Sequence, residues 1–178
     1  MTRALVFDAT VRDFAQQWER LDWQLLQSSS VHRFRSDDEL ERTADGLARL
    51  GYVVHRLDAG SWRHEDKMHA ALATELEFPS YYGRNLDALN DAFMDVAEYR
   101  YGGDPSTTGT VLAIARYGQF ASQNPKLAHA LLEIFANNAR RGLLVGHPML
   151  CLISTIHDFP AVGATPISLT PVPLEIPS

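Results

Sequence analysis

Phe78-Pro79-Ser80-Tyr81-Tyr82-Gly83-Arg84-Asn85-Leu86-Asp87-Ala88-Leu89-Asn90-Asp91 is the stretch whose reading decides the fold. Pro79 and Gly83 interrupt whatever helix precedes them. Asn85 suits an N-cap, because its side-chain oxygen can accept from an orphan backbone N–H. After it, Leu86, Leu89, Phe93 and Val96 recur at i, i+3, i+7 and i+10, which is helical spacing. Asp87, Asp91, Asp95 and Glu98 follow at i, i+4, i+8 and i+11. At roughly 100° per residue these carboxylates fall opposite the apolar stripe. One face is therefore fastened to a core, and the other shows four acids with no cation between them. Like charges at i, i+4 cost a helix a few tenths of a kcal/mol each, roughly. Asp87 and Asp91 recover some of this from the positive helix N-terminus, whereas Asp95 and Glu98 lie too far along. Two readings remain open on this ground alone: a solvated charged face, or a surface shaped for a basic partner.

Outward from that helix the composition is ordinary. The chain has 178 residues, 46% hydrophobic and 21% charged, as expected of a globular protein with one sizeable domain. The net charge of −6 argues against direct contact with nucleic acid, which needs a basic footprint, and permits a basic protein partner. Residues 1–50 carry 9 acids and 7 bases and residues 51–157 carry 11 and 9, so each segment is nearly balanced and the negative patch is local. A lone cysteine, Cys151, lies in the apolar run Met149-Leu150-Cys151-Leu152-Ile153 and reads as a buried, inert thiol. The N-terminus is too short in apolar residues for a secretory leader, and no run approaches a membrane span. A cytoplasmic protein, monomeric when free, is the expectation.

Three strands are expected, at 52–57, 110–115 and 149–155, separated by helices over 61–77, 86–98 and 125–141. Strands separated by helices imply right-handed crossovers and a parallel sheet. Asn124-Pro125 predicts a cap followed by proline at the first helical position, and Gly142 a helix end. Residues 1–50 read as an N-terminal extension that packs on the core. They hold a short strand at Leu5-Val6-Phe7, a helix at 11–21 and, after the capping-box spacing Ser36-Asp37-Asp38-Glu39, a helix that Gly51 ends. Residues 158–178 form a proline-rich tail in which Ile167, Leu169, Val172, Leu174 and Ile176 alternate with prolines, as an extended strap would.

Seven histidines invite an enzymatic reading. His64 and His69 are five apart, which does not place two ligands on one helix face, so neither a metal nor any other cofactor is expected. His129 belongs on the polar side of a helix. His157-Asp158 could be an orienting pair, but no nucleophile has a motif around it. Asp87 and Asp91 as paired acid and base lack a water-excluding cleft. Trp18, Trp23 and Trp62 read as core.

The quoted string closely resembles the signature of the barstar family of intracellular ribonuclease inhibitors. The order of elements over residues 51–157 matches the family too, up to the helix ending Phe135-Ala136-Asn137-Asn138-Ala139-Arg140-Arg141-Gly142. The resemblance implies a small three-layer α/β fold with a short parallel sheet of three core strands, preceded by the extension. It implies an inhibitor, not an enzyme, whose acidic helix and preceding loop plug the active site of a basic ribonuclease or related toxin. Carried over by position, it implies partner contacts from Tyr81, Asn85, Asp87, Asn90, Asp91, Met94, Asp95 and Asn137. Tyr82 and Gly83 would support the loop. The chain departs from the family at Asn90, where the motif often carries tryptophan, at Arg84, which replaces an acid, and at Asn137, which replaces a glutamate. Met94 and Asp95 also differ. A non-inhibitory adaptor on the same fold is the alternative these departures raise, and a small enzyme using a histidine–carboxylate pair is a further one.

Overall fold

The computed structural model describes residues 5–10, 14–163 and 165–170. A four-stranded parallel sheet forms its middle layer. The strands are β1 (Val31–Phe34), β2 (Val53–Asp58), β3 (Thr110–Ala115) and β4 (Met149–Ser154), in the order β1-β4-β3-β2. The three expected strands are all present, with β1 added beside β4. β1 escapes a pattern search because two of its four residues are polar, His32 and Arg33, and yet all four are buried. Leu5-Val6-Phe7, by contrast, is not a strand.

Alternation along the strands sorts the core into two layers. Val111, Ala113, Leu150 and Leu152 face α3 (Asp37–Arg49), which offers Leu40, Ala44 and Leu47. Leu112, Ile114, Met149, Cys151 and Ile153 face the other way. There they meet α4 (Glu65–Glu75), α5 (Leu86–Ala97), α6 (Tyr117–Gln123) and α7 (Pro125–Leu144). Burial pushes the Cys151 thiol well above its ordinary range, which keeps it protonated and unreactive.

The helix ends obey local chemistry. Ser36 Oγ accepts from Glu39 N at 3.2 Å, while the Glu39 carboxylate turns back to Arg35 N at 3.0 Å. Asn124 does not cap α7 with its side chain, although Pro125 opens that helix as expected. α7 passes through Gly142 and runs to Leu144. Gly142 is needed for close approach, since a Cβ there would lie 2.7 Å from the His147 carbonyl oxygen, and Gly146, at φ 72°, makes the turn instead. The sequence pattern does not signal α6; Asp58-Ala59-Gly60, a turn by sequence, leads into a 3₁₀ turn at Ala59–Ser61, and α4 starts only at Glu65. In the extension, α1 (Phe14–Trp18) and α2 (Leu21–Leu26) replace the single helix, whose residues 11–13 lie outside the described set. Trp62 is in the core, but Trp18 is 58% exposed.

The outer edge of β1 is occupied in three ways, which blunts it against stray pairing. Val31 N donates to Ser29 Oγ (3.0 Å), Arg33 O accepts from Thr170 N (2.8 Å), and Arg35 N goes to Glu39. The tail so reaches the sheet, with Val162 and Ile167 buried in the core, while Val172, Leu174 and Ile176 lie outside the described residues.

His32 sits under this contact. Its Nε2–H donates to Ser29 O at 2.9 Å, leaving Nδ1 to accept from Thr170 Oγ1 at 3.2 Å. Burial lowers its pKa from 6.5 to about 4, against smaller opposing effects of the Ser29 and Leu25 backbone. The unfolded chain therefore binds a proton that the folded chain refuses between about pH 6.5 and 4. Stability is full above about pH 6.5 and falls as the pH drops through that window, by on the order of 3 kcal/mol. Urea unfolding of wild type and His32→Gln at pH 7 and pH 4.5 checks this: the loss on acidification is expected to be smaller in the variant.

Candidate functional site: the loop before α5 and its acidic face

α5 begins where the sequence places it. Asn85 Oδ1 accepts from Ala88 N at 2.8 Å. Leu89, Ala92, Phe93, Val96 and Ala97 are buried, with Leu86 half-buried. Phe93 meets Phe135 of α7 edge-on at 5.5 Å and Phe78 of the preceding loop at 6.2 Å. The helix is thus fixed on two sides, and its opposite face is free to present side chains.

The four acids do not form one uniform patch. Asp95 accepts from Arg100 Nε (3.2 Å) and from the Tyr101 hydroxyl (3.3 Å). Glu98 meets Arg100 at 3.2 Å and Arg141 of α7 at 3.3 Å. Both arginines come from outside the helix, where the helical pattern cannot reveal them. Asp87 and Asp91 are exposed and, among the described residues, form no ion pair. The unneutralised charge is therefore concentrated in the first two turns of α5, one turn apart on one face.

Around these two acids the other expected residues are distributed unevenly. Tyr81 stands out at 83% exposure. Asn90 is exposed but also structural: its backbone oxygen and Oδ1 accept from Asn138 Nδ2 at 3.4 and 3.0 Å, tying α5 to α7. Met94 is half-buried. Asn137 is exposed one residue from Asn138 and accepts from Arg140 Nη2 at 2.7 Å. Arg84 is exposed, at φ 48° in the left-handed region, and sits immediately before the N-cap. A cation there opposes the helix dipole.

The loop is anchored from beneath. Phe78 packs on Tyr82 at 4.9 Å and Tyr101 at 5.5 Å, and Tyr82 N donates to Pro79 O at 2.9 Å. Burial raises the Tyr82 pKa well above the tyrosine range, partly offset by Arg84, so its hydroxyl stays protonated. That hydroxyl reaches Nδ1 of His69, which is wholly buried on α4, and Nε2 of His69 lies 3.2 Å from Glu65 Oε1. Sequence reading misses Asn138, Arg100, Arg141 and His69. Asn138 and His69 are discoverable, because each lies on the apolar stripe of its helix, four residues after Ile134 and four before Ala73.

Histidines and carboxylates also meet elsewhere in the fold. Asp158 pairs with Arg33 at 2.9 Å rather than with His157. His129 Nε2 lies 3.0 Å from Ala161 O and 3.6 Å from Glu133 Oε1, and His55 Nδ1 lies 3.5 Å from Glu75 Oε1. A shallow hollow at the carboxyl ends of the strands is lined by both His157 and Asp37, but Asp37 is occupied by the Ser154 hydroxyl and by Arg116 N. Among the described residues no group of three or more His, Cys, Asp or Glu could hold a metal ion, and no helix is long and apolar enough to cross a membrane.

A family model described as Barstar (barnase inhibitor) matches residues 52–154, more than half of the chain. The match runs from the residue before β2 to the end of β4 and contains the loop, α5 and α7. No curated protein matches the sequence.

Proposed function

The chain belongs to the barstar family, whose family-level role is inhibition of barnase-type ribonucleases, and from that premise we propose that it blocks the active site of a basic ribonuclease or related toxin. The observation that carries this reading is the pair of unneutralised, exposed carboxylates Asp87 and Asp91 on a helix fixed from behind. A ribonuclease active site is built for phosphate, and two rigid carboxylates supply comparable charge and acceptor oxygens. Tyr81, Asn85, Asn90, Met94, Asp95 and Asn137 would make up the remainder of the contact. The protein would act as a non-enzymatic, cytoplasmic monomer, with residues 51–157 as the inhibitory unit, 1–50 as an extension packed on it and 158–178 as a tail. Arg84 supports a second reading, an adaptor for another protein, because it sets a cation at the rim of the acidic patch.

The test uses a barnase-type ribonuclease and a fluorogenic RNA substrate. One equivalent of inhibitor is expected to abolish cleavage, to compete with a mononucleotide product, and to lose affinity steeply as salt rises from about 0.05 to 0.5 M, on the order of tenfold or more. Binding that leaves cleavage intact would favour the adaptor.

A further inference from the structure

α7 runs past Gly142 to Leu144 and closes there with two backbone bonds. Gly146 N donates to Leu143 O at 3.1 Å, and His147 N donates to Gly142 O at 2.8 Å. With Gly146 in the left-handed region at φ 72°, this is a Schellman closure, and the last turn is held rather than frayed. That turn carries Leu143, Leu144 and Val145 into water, 52%, 86% and 54% exposed. Leu144 is the most exposed large apolar residue among the described residues. The closure uses backbone groups alone, so the fold does not require leucine at 144. A basic residue there would suit the negative helix end better. Contiguous apolar side chains left in water on a fixed element mark a contact surface.

The turn stands in line with the candidate site. Asn137, Arg141 and Leu144 recur on α7 at i, i+4 and i+7, which places them on one stripe about 60° wide. Asn137 belongs to the proposed contact, and Leu144 lies two turns further along, about 10 Å. Between them Arg141 reaches Glu98, the residue that closes α5, at 3.3 Å. The stripe therefore borders the far end of the acidic face. From Asp87 towards Leu144 the surface changes character in steps. Asp87 and Asp91 have no ion pair among the described residues, Asp95 and Glu98 are answered by Arg100 and Arg141, and then comes leucine.

We propose that Leu144 extends the contact surface beyond α5: the partner sets a cationic cleft on Asp87 and Asp91 and lays an apolar rim over Leu144. This rests on the inhibitory reading of α5. The occupant is the rim of the same basic partner, because the stripe continues the proposed contact and its charges are already paired where the leucine stands. A cation brought to this end would meet Arg100 and Arg141 in place before it. Burying a leucine on a closed helix turn gains its transfer free energy with little loss of chain entropy. The two ends then divide the work. Charge at Asp87 and Asp91 draws in basic proteins generally, and Leu144 retains those whose rim is apolar.

A barnase-type ribonuclease is titrated with wild type, Leu144→Ser, Leu144→Met and Asp87→Ala/Asp91→Ala at about 0.05 and 0.5 M salt, and each free chain is sedimented alongside. Leu144→Ser is expected to bind about tenfold more weakly than wild type, by the same factor at both salt concentrations, because an apolar contact is not screened. The loss in Asp87→Ala/Asp91→Ala should shrink as salt rises. Leu144→Met, which keeps an apolar side chain of similar volume, should bind as wild type does. Leu144 is exposed in the free chain, so its variants should melt with wild type. If Leu144→Ser binds as tightly as wild type while Asp87→Ala/Asp91→Ala does not, the inference is overturned and the inhibitory reading stands. If wild type itself fails to bind, both are overturned. A free wild-type chain that sediments as a dimer, and as a monomer after Leu144→Ser, assigns the patch to a second copy and also overturns the inference.

Discussion

Asp87→Ala and Asp91→Ala are each expected to weaken binding to a barnase-type ribonuclease by about 30-fold or more, roughly 2 kcal/mol or above, a range to which this family's own complexes contributed. The two carboxylates are the part of the acidic face that the chain leaves unneutralised; Arg100 and Arg141 answer Asp95 and Glu98. Once a partner covers them, loss of either leaves its cation buried and unpaired, and the effect falls on dissociation. Asp95→Ala, already held by Arg100 and Tyr101, is expected to cost much less in affinity. Stability should hardly move. Removing one of two like charges at i, i+4 relieves a few tenths of a kcal/mol, roughly, and forfeits a comparable interaction with the helix N-terminus, so the melting temperature should stay nearly unchanged. Surface plasmon resonance and thermal unfolding of the same samples separate the two effects.

Phe93→Ala is expected to destabilise the fold by about 3–5 kcal/mol. Phe93 is 1% exposed and bridges three parts of the site: α5 itself, Phe135 on α7 and Phe78 at the root of the loop. Truncation opens a cavity between two rings that cannot both collapse into it. For a chain of this size the melting temperature should fall by about 10 °C. The midpoint in urea should drop with little change in slope if the denatured state is unaltered. Phe93→Leu, which keeps most of the volume, should lose much less. The contrast with Asp87→Ala is the informative one: one variant loses stability first, the other affinity alone.

The helices and strands of residues 52–154 are legible because each obeys one period. Leu89, Phe93 and Val96 bury one face of α5, and the apolar runs at 110–115 and 149–154 are strands buried on both sides. β1 is hidden because its register is set by β4, with Val31 opposite Cys151, and by the tail across its other edge, not by its own composition. Trp18 misleads for the converse reason: an aromatic at helical spacing reads as core, but α1 is five residues long and leaves it exposed. Gly142 misleads because a glycine can be demanded by close approach of another segment as well as by a turn.

At the site, the carboxylates are legible and their neutralisation is not. Helical spacing places Asp87, Asp91, Asp95 and Glu98 on one face, but only tertiary structure brings Arg141 to Glu98, 43 residues away. The same limit applies to the Asn90–Asn138 tie, 48 residues apart, and to the His69–Tyr82 contact across the α4–α5 loop. For Asn138 and His69 the signal is a polar residue on an apolar stripe: a buried polar group requires a partner, and that partner is found only in the fold.

Calorimetric titration of a barnase-type ribonuclease with wild type and with Asp87→Asn/Asp91→Asn, at about 0.05 and 0.5 M salt, tests the proposed inhibition most directly. The asparagines keep the shape and remove only the charge. Wild type should form a one-to-one complex that weakens with salt, and the double variant should bind at least about 100-fold more weakly with a shallower salt dependence. A double variant that binds as tightly as wild type, with the same response to salt, would contradict the assignment of this helix as the inhibitory surface.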